Sequence, residues 1–228
     1  MTEETTNTNS QTELKTKFEF ETLKVLAHQG QSSSFTSIVV GGIVFLVLRP
    51  VAIENFMHYW LAILTILSLM RFFLAGQYFR MEENSDRLGA WLNLYLVLIY
   101  LSGLCWGILP LTHVFRATED SFAFVVFIVA GMSAGSLVWL YAKLSAILPY
   151  LLIMLIPLIY SLSVGSAGEQ TGMAVTAGLY LVMLVRSAYT LNASARRTLQ
   201  LEIQNSELFE FLLKSNRINQ DESKNFVI

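Results

Sequence analysis

Residues 88–115 read LGAWLNLYLVLIYLSGLCWGILPLTHVF and contain no Asp, Glu, Lys or Arg. Residues 121–142 and 144–168 are equally free of these charged side chains. An α-helix needs about 20 apolar residues to cross a hydrocarbon core of about 30 Å, so each stretch is long enough to span a bilayer. Hydrophobic residues make up 54% of the 228-residue chain and charged residues only 14%. The sequence therefore predicts an all-α, polytopic membrane protein.

Six transmembrane helices are predicted when the same pattern is followed along the chain. Their expected ranges are 34–48, 57–78, 89–113, 121–141, 145–164 and 171–189. The connections on one side of the membrane carry most of the Lys and Arg, whereas the other side carries only Arg49 and Arg116. Because cationic connections remain on the cytoplasmic side, we expect both termini to be cytoplasmic.

The transmembrane domain, residues 34–189, is flanked by polar segments. Residues 1–14 are rich in Thr, Glu and Asn, which is typical of a disordered leader. Residues 15–33 mix apolar and charged side chains and favour an amphipathic juxtamembrane helix. After the last span we expect a cytoplasmic helix over residues 190–217, and then a tail or the start of a missing output domain over 218–228.

Arg71 lies among Leu, Met and Phe in the second predicted span. A charge inside a membrane is costly, so such a residue is a functional candidate. A long Arg side chain can also extend to the lipid headgroups, and this is the interpretation that we favour for Arg71. Arg186, near the end of the last span, is interpreted in the same way. No Asp or Glu falls inside a predicted span, which argues against an ion-coupled transporter.

Small residues recur at four-residue spacing in two spans. Gly131 and Gly135 form such a pair in the fourth span, and Gly103 and Gly107 flank Trp106 in the third. Small side chains let helix backbones approach closely, so the pairs predict packing faces. The wall of a ligand cavity is the alternative, and Trp106 is a candidate for sensing or packing on either interpretation.

Two prolines, Pro149 and Pro157, lie in the fifth predicted span. A proline inside a helix leaves a backbone carbonyl without its donor and bends the helix. The sequence alone does not distinguish a fixed kink from a moving hinge, and both residues are candidates for a conformational change.

Two histidines and three tryptophans lie near the predicted span ends. His58 and His113 fall at the outer boundary, where a pair could bind a metal or titrate, although interfacial polar residues are the alternative. Trp60, Trp91 and Trp139 have the positions of membrane-interface belt residues. Neither observation supports a cofactor or metal site.

Enzymatic and nucleic-acid-binding functions are not supported by the sequence. It contains no arrangement typical of a catalytic site, so we expect the chain as given not to be an enzyme. The balance of 15 Lys and Arg against 17 Asp and Glu provides no basic face for nucleic acid.

A heptad pattern follows the last span. Leu201 and Leu208 occupy d positions, and Asn205 and Leu212 occupy a positions. A parallel pair of helices buries such residues, and an Asn at a fixes the register of a dimer. The pattern therefore predicts a homodimer through this helix, with a solvated amphipathic helix as the alternative.

Several local patterns carry a resemblance to a known class. They are the pre-membrane helix 23–29, Arg71 with the aromatic stretch that follows it, Ser-Gly-Leu-Cys-Trp-Gly at 102–107, Ala-Gly-Met-Ser-Ala-Gly at 130–135, and Leu-Glu-Ile-Gln-Asn-Ser-Glu-Leu at 201–208. Together they resemble the MASE-type membrane sensory regions of bacterial hybrid histidine kinases and GGDEF/EAL cyclic-di-GMP proteins. Ile203 stands where that class usually has an aromatic residue, and Gln204 where it usually has Glu.

This resemblance implies a sensory input module in the bacterial inner membrane that signals through a dimeric helix. The implied output is a histidine kinase first, and a diguanylate cyclase or phosphodiesterase second. Residues 221–228 resemble the approach to a phospho-acceptor helix, so we expect the output domain to be missing from this chain. A small stand-alone transporter and a membrane scaffold protein are the alternatives.

Overall fold

The computed structural model describes residues 2–52, 55–80, 88–112, 119–164 and 168–225. Within these residues the regular structure is entirely helical. The helices are α1 (Thr2–Leu48), α2 (Phe56–Tyr78), α3 (Leu88–Gly107), α4 (Glu119–Leu140), α5 (Leu144–Ser163) and α6 (Gly168–Asn225), with a short 3-10 helix (Leu109–Leu111) after α3.

Each of the six long helices contains a stretch long and apolar enough to cross a membrane. The predicted all-α class and the six candidate spans are therefore confirmed. The second to fifth spans begin and end within two residues of the predicted ranges. The sixth lies in α6 (Gly168–Asn225), which continues without a break beyond the predicted end of this span.

The first span differs most from the prediction. A helix over 34–48 would reach only about 22 Å, which is too short for a bilayer. Instead, α1 continues unbroken through the predicted leader and juxtamembrane segments, and its apolar part covers Phe18–Leu48. The prediction began the span at residue 34 because polar residues precede it. Two of these, Ser33 and Ser34, face inward: both are buried, and both donate to the Gly30 carbonyl.

The helix α5 lies at the centre of the bundle, where it packs against α3, α4 and α6. On the other side, α1 packs against α2 and α4, and α2 packs against α3. The span of α6 is peripheral, with 17% of its most apolar window buried. Most of its surface therefore remains available to lipid or to another helix.

Candidate functional site

The Arg71 side chain lies inside the bundle and is only 4% exposed. Its Nη2 atom donates to the Ser33 hydroxyl of α1 at 2.7 Å. The guanidinium therefore does not extend along the outside of the bundle towards the headgroups. Arg186, by contrast, is exposed on α6, as a snorkelling side chain would be.

Two further polar side chains surround the guanidinium. Ser68 lies one turn before Arg71 on α2, and Tyr95 of α3 has its ring buried beside the guanidinium. The Ser68 hydroxyl, the Tyr95 hydroxyl and Arg71 Nε are all buried without a hydrogen-bond partner among the described protein atoms. We call Ser33, Ser68, Arg71 and Tyr95 the arginine centre.

No carboxylate balances the charge of the arginine centre within the described part of the chain. The ion pair found there joins Lys24 to Glu21 on α1, at 3.2 Å, and involves neither Arg71 nor its neighbours. Tyr150 of α5 lies within electrostatic range of the guanidinium, but a tyrosine is neutral near pH 7. Within the described residues, the positive charge of the centre is therefore uncompensated.

Aromatic packing holds Tyr95 in place. The Trp91 ring stacks on Tyr95 with a centroid distance of 5.0 Å, and Trp91 Nε1 donates to the Leu74 carbonyl at 2.8 Å. On its other side Trp91 contacts Tyr78, whose hydroxyl donates to the Phe20 carbonyl at 2.6 Å. These contacts tie α1, α2 and α3 together next to Arg71.

The prediction that Trp60 and Trp91 belong to an interfacial belt was wrong. Both are buried inside the bundle, where each indole N–H donates to a backbone carbonyl. Trp139 is only partly buried and lies 3.6 Å from the position that a Cβ on Gly135 would occupy. The indole N–H can donate either to the polar membrane interface or to a carbonyl inside a helix bundle. The position of a tryptophan near the end of a span therefore does not distinguish these two environments.

Trp106 is fully buried and packs edge-on against Trp60, with ring centroids 5.3 Å apart. Its indole N–H has no partner among the described protein atoms. Along α3, Trp106 lies 11 residues beyond Tyr95, which is about 16 Å. The structure therefore does not bring this candidate to the arginine centre.

Close helix approach occurs at Gly103 and Gly107 but not at Gly131. A Cβ on Gly103 would lie 3.0 Å from the Tyr150 ring, and one on Gly107 would lie 2.6 Å from the Ile153 carbonyl oxygen. Gly131 is exposed, and no atom lies within 4 Å of its Cβ position. Hence α3 packs tightly on α5, whereas the predicted α4 packing face has no partner helix at Gly131 among the described residues.

The two prolines lie within an unbroken α5. Pro149 removes the donor for the Ser145 carbonyl, and the Tyr100 hydroxyl of α3 donates to it instead. Pro157 likewise leaves the Ile153 carbonyl without its donor, and this is the oxygen that faces Gly107. Both positions at which α5 lacks a backbone hydrogen bond are therefore in contact with α3.

The predicted histidine pair is described only in part. His58 is exposed and packs edge-on against Phe45 with a centroid distance of 5.0 Å, whereas His113 lies outside the described residues. Within the described ranges, no three His, Cys, Asp or Glu side chains are close enough together to hold a metal ion.

The four residues of the predicted dimer helix are all exposed on α6: Leu201, Asn205, Leu208 and Leu212. Ile203 is buried, and it lines a groove beside Glu21 of α1. One face of this helix thus packs against α1, and the heptad face points away from it.

The buried and exposed faces of α6 keep their positions from the membrane into the exit helix, residues 190–217. Ala174 and Asn192 are both buried and are 18 residues apart, which is about five full turns. Met183 lies nine residues after Ala174, and Leu201 lies nine residues after Asn192. Nine residues are about two and a half turns, and both Met183 and Leu201 are exposed. The exposed side of α6 therefore keeps its direction. It is apolar at Met183 and again from Leu201, and polar between them at Ser187, Thr190 and Ser194.

Asn192 is a residue that the sequence analysis missed. Its amide nitrogen donates to the carbonyls of Tyr141 and Ala142, at 2.7 and 2.9 Å, just after α4 ends. Earlier on α6, within its span, the Tyr180 hydroxyl donates to the Ala130 carbonyl of α4 at 2.7 Å. Asn192 therefore ties the start of the exit helix to the turn between α4 and α5, and a single Asn in a polar segment gave no signal of this.

The fold and these sites define a helical protein with six candidate membrane spans, a buried arginine and a long sixth helix. No family model, curated protein or solved structure matches the chain. The likeness to MASE-type sensory regions therefore rests on the local sequence patterns alone.

Proposed function

We propose that the chain is the sensory input module of a bacterial signalling protein in the inner membrane, with both termini in the cytoplasm. A change in the bundle would reach the output through paired exit helices. That output would be a histidine kinase, with a diguanylate cyclase or phosphodiesterase as the second candidate, and the chain itself would carry no catalytic group. The observation that carries the proposal is the row of exposed leucines on the exit helix, Leu201, Leu208 and Leu212, on a helix that is continuous with the sixth span.

The exit helix supports pairing because its leucines are costly to leave in water. Leu201, Leu208 and Leu212 are 52%, 58% and 56% exposed. Burying a leucine side chain contributes about 1.5–3 kcal/mol, and a second copy of the same helix offers a complementary face. Asn205 lies within this face, where a parallel pair would use it to fix the register. The partner most compatible with the pattern is a second copy of the chain.

The proposed mechanism uses the contacts of α5 and α6. A shift of α5 at Pro149 or Pro157 would move the turn that joins it to α4. Because Asn192 is bonded to that turn, the exit helix would be displaced with it. Rotation of one paired helix against the other is a small movement that an attached domain can detect.

Disulfide trapping tests the pairing in native membranes. In a Cys105→Ser background, Leu201→Cys and Leu208→Cys are each expected to form an intermolecular disulfide on mild oxidation. Facing positions of a parallel pair bring Cα atoms to within about 7 Å, which a disulfide needs. The readout is the fraction of dimer on a non-reducing gel.

Ser206→Cys is the matched control, because Ser206 is exposed on the same helix but lines the groove beside α1. We expect it to form far less disulfide than Leu208→Cys. Equal trapping at both positions, or none at the leucines, would contradict the proposed pairing.

A further inference from the structure

The positive charge of the arginine centre cannot be removed by loss of a proton. An arginine side chain keeps its charge in proteins. An unpaired ion in a region of low dielectric constant is costly, so buried charges are paired. The described helices supply no carboxylate to Arg71, so the countercharge has to come from outside this part of the chain.

The unused donors of the centre are suited to an anion. Arg71 Nε and the Ser68 hydroxyl lie on buried side chains and lack a partner among the described protein atoms. The Tyr95 hydroxyl lies against the guanidinium, and its proton has no acceptor among those atoms. The Ser33 hydroxyl has a different role, since it accepts from Arg71 Nη2 and donates to the Gly30 carbonyl at 3.1 Å. Ser33 therefore orients the guanidinium and leaves its Nε edge for a ligand.

We propose that the arginine centre binds a small monovalent anion, of the size and charge of chloride, between α1, α2 and α3. One guanidinium provides one positive charge, which matches a monovalent ion. The Tyr95 hydroxyl packs so closely on Gly30 that a Cβ there would overlap it, so a ligand larger than a single ion would have to displace this contact. The buried N–H and hydroxyl donors can replace part of the hydration shell of such an ion.

Thermal unfolding of the purified full-length chain in detergent tests this proposal. Chloride is exchanged for gluconate at constant ionic strength, and unfolding is followed by tryptophan fluorescence. A ligand that binds only the folded state raises the melting temperature with its concentration, by roughly 5–11 °C once it exceeds its dissociation constant a hundredfold. Above its dissociation constant, chloride is expected to raise the melting temperature with the logarithm of its concentration. Sulfate, which is larger and divalent, is expected to give no rise that depends on Arg71.

Two variants of span arginines provide the contrast. Arg71→Gln is expected to abolish the chloride dependence, whereas Arg186→Gln, which removes an exposed arginine, is expected to retain it. If Arg71→Gln does not fold, Tyr95→Phe removes one donor only. It should raise the chloride concentration that gives the same increase in melting temperature by about tenfold, as expected for one hydrogen bond to a charged group.

The proposal would be overturned if the melting temperature of the unsubstituted protein did not depend on chloride. An equal rise with sulfate that depends on Arg71, or an unchanged chloride response in both Arg71→Gln and Tyr95→Phe, would also overturn it. The measurement uses the isolated protein and does not depend on the exit helix or on signalling, so its result is independent of the proposed function.

Discussion

Replacing Gly107 with alanine is expected to lower the free energy of unfolding by about 1–3 kcal/mol, the usual cost of overpacking a close contact. The new Cβ would lie 2.6 Å from the carbonyl oxygen of Ile153. That oxygen belongs to the backbone of α5 and cannot rotate away, so α3 and α5 would have to move apart. The free energy is measured by unfolding the protein in mixed micelles of increasing denaturing-detergent content.

Gly42→Ala is the matched control for this prediction. Gly42 lies within α1, and no atom is within 4 Å of its Cβ position. Because alanine is favoured over glycine in a helix by roughly 0.5–1 kcal/mol, we expect Gly42→Ala to be neutral or stabilising. A Gly107→Ala protein as stable as Gly42→Ala would mean that α3 and α5 do not approach each other in this way.

Replacing Gly30 with alanine is expected to disrupt the arginine centre. The added Cβ would overlap the Tyr95 hydroxyl and lie 2.9 Å from Tyr95 Cζ. Tyr95 cannot swing aside freely because Trp91 stacks on its ring. We expect a loss of about 1–3 kcal/mol in the free energy of unfolding. A changed near-ultraviolet circular dichroism signal should accompany it, as the Trp91 stack is displaced.

A double substitution tests whether the Tyr95 hydroxyl causes this loss. Gly30→Ala combined with Tyr95→Phe should recover part of the stability lost in Gly30→Ala alone, since the overlapping oxygen is gone. Residues in contact show such coupling, whereas independent sites give additive effects. Additive losses in this cycle would be inconsistent with the packing of Tyr95 on Gly30.

The bundle could be predicted from the sequence wherever apolar side chains were uninterrupted. Four spans were located within two residues because a charged or polar stretch of sequence follows each of them. The start of α1 was missed for a physical reason. A hydropathy scale scores a serine as polar whichever way its side chain points. The Ser34 hydroxyl, however, donates to the Gly30 carbonyl of its own helix, so its burial leaves no unpaired hydroxyl in the bundle.

The candidate site was predictable only in part. Arg71 could be singled out because a charge in an apolar segment is expensive, but its burial depends on which face of α2 meets α1. Its partner Ser33 lies in a segment that the sequence analysis had assigned outside the membrane. Gly107 and Gly131 have the same sequence spacing to a second glycine, and only the tertiary arrangement distinguishes the packed residue from the exposed one.

The central claim is that the apolar face of the exit helix pairs two copies of the chain. A spin label at Leu212→Cys, in a Cys105→Ser protein reconstituted into lipid nanodiscs, measures the distance between copies by pulsed dipolar spectroscopy. Paired helices pack with axes about 8–10 Å apart, and each label adds several ångströms, so we expect one narrow distribution at roughly 20 Å. A sample without a dipolar signal at that distance would contradict the claim.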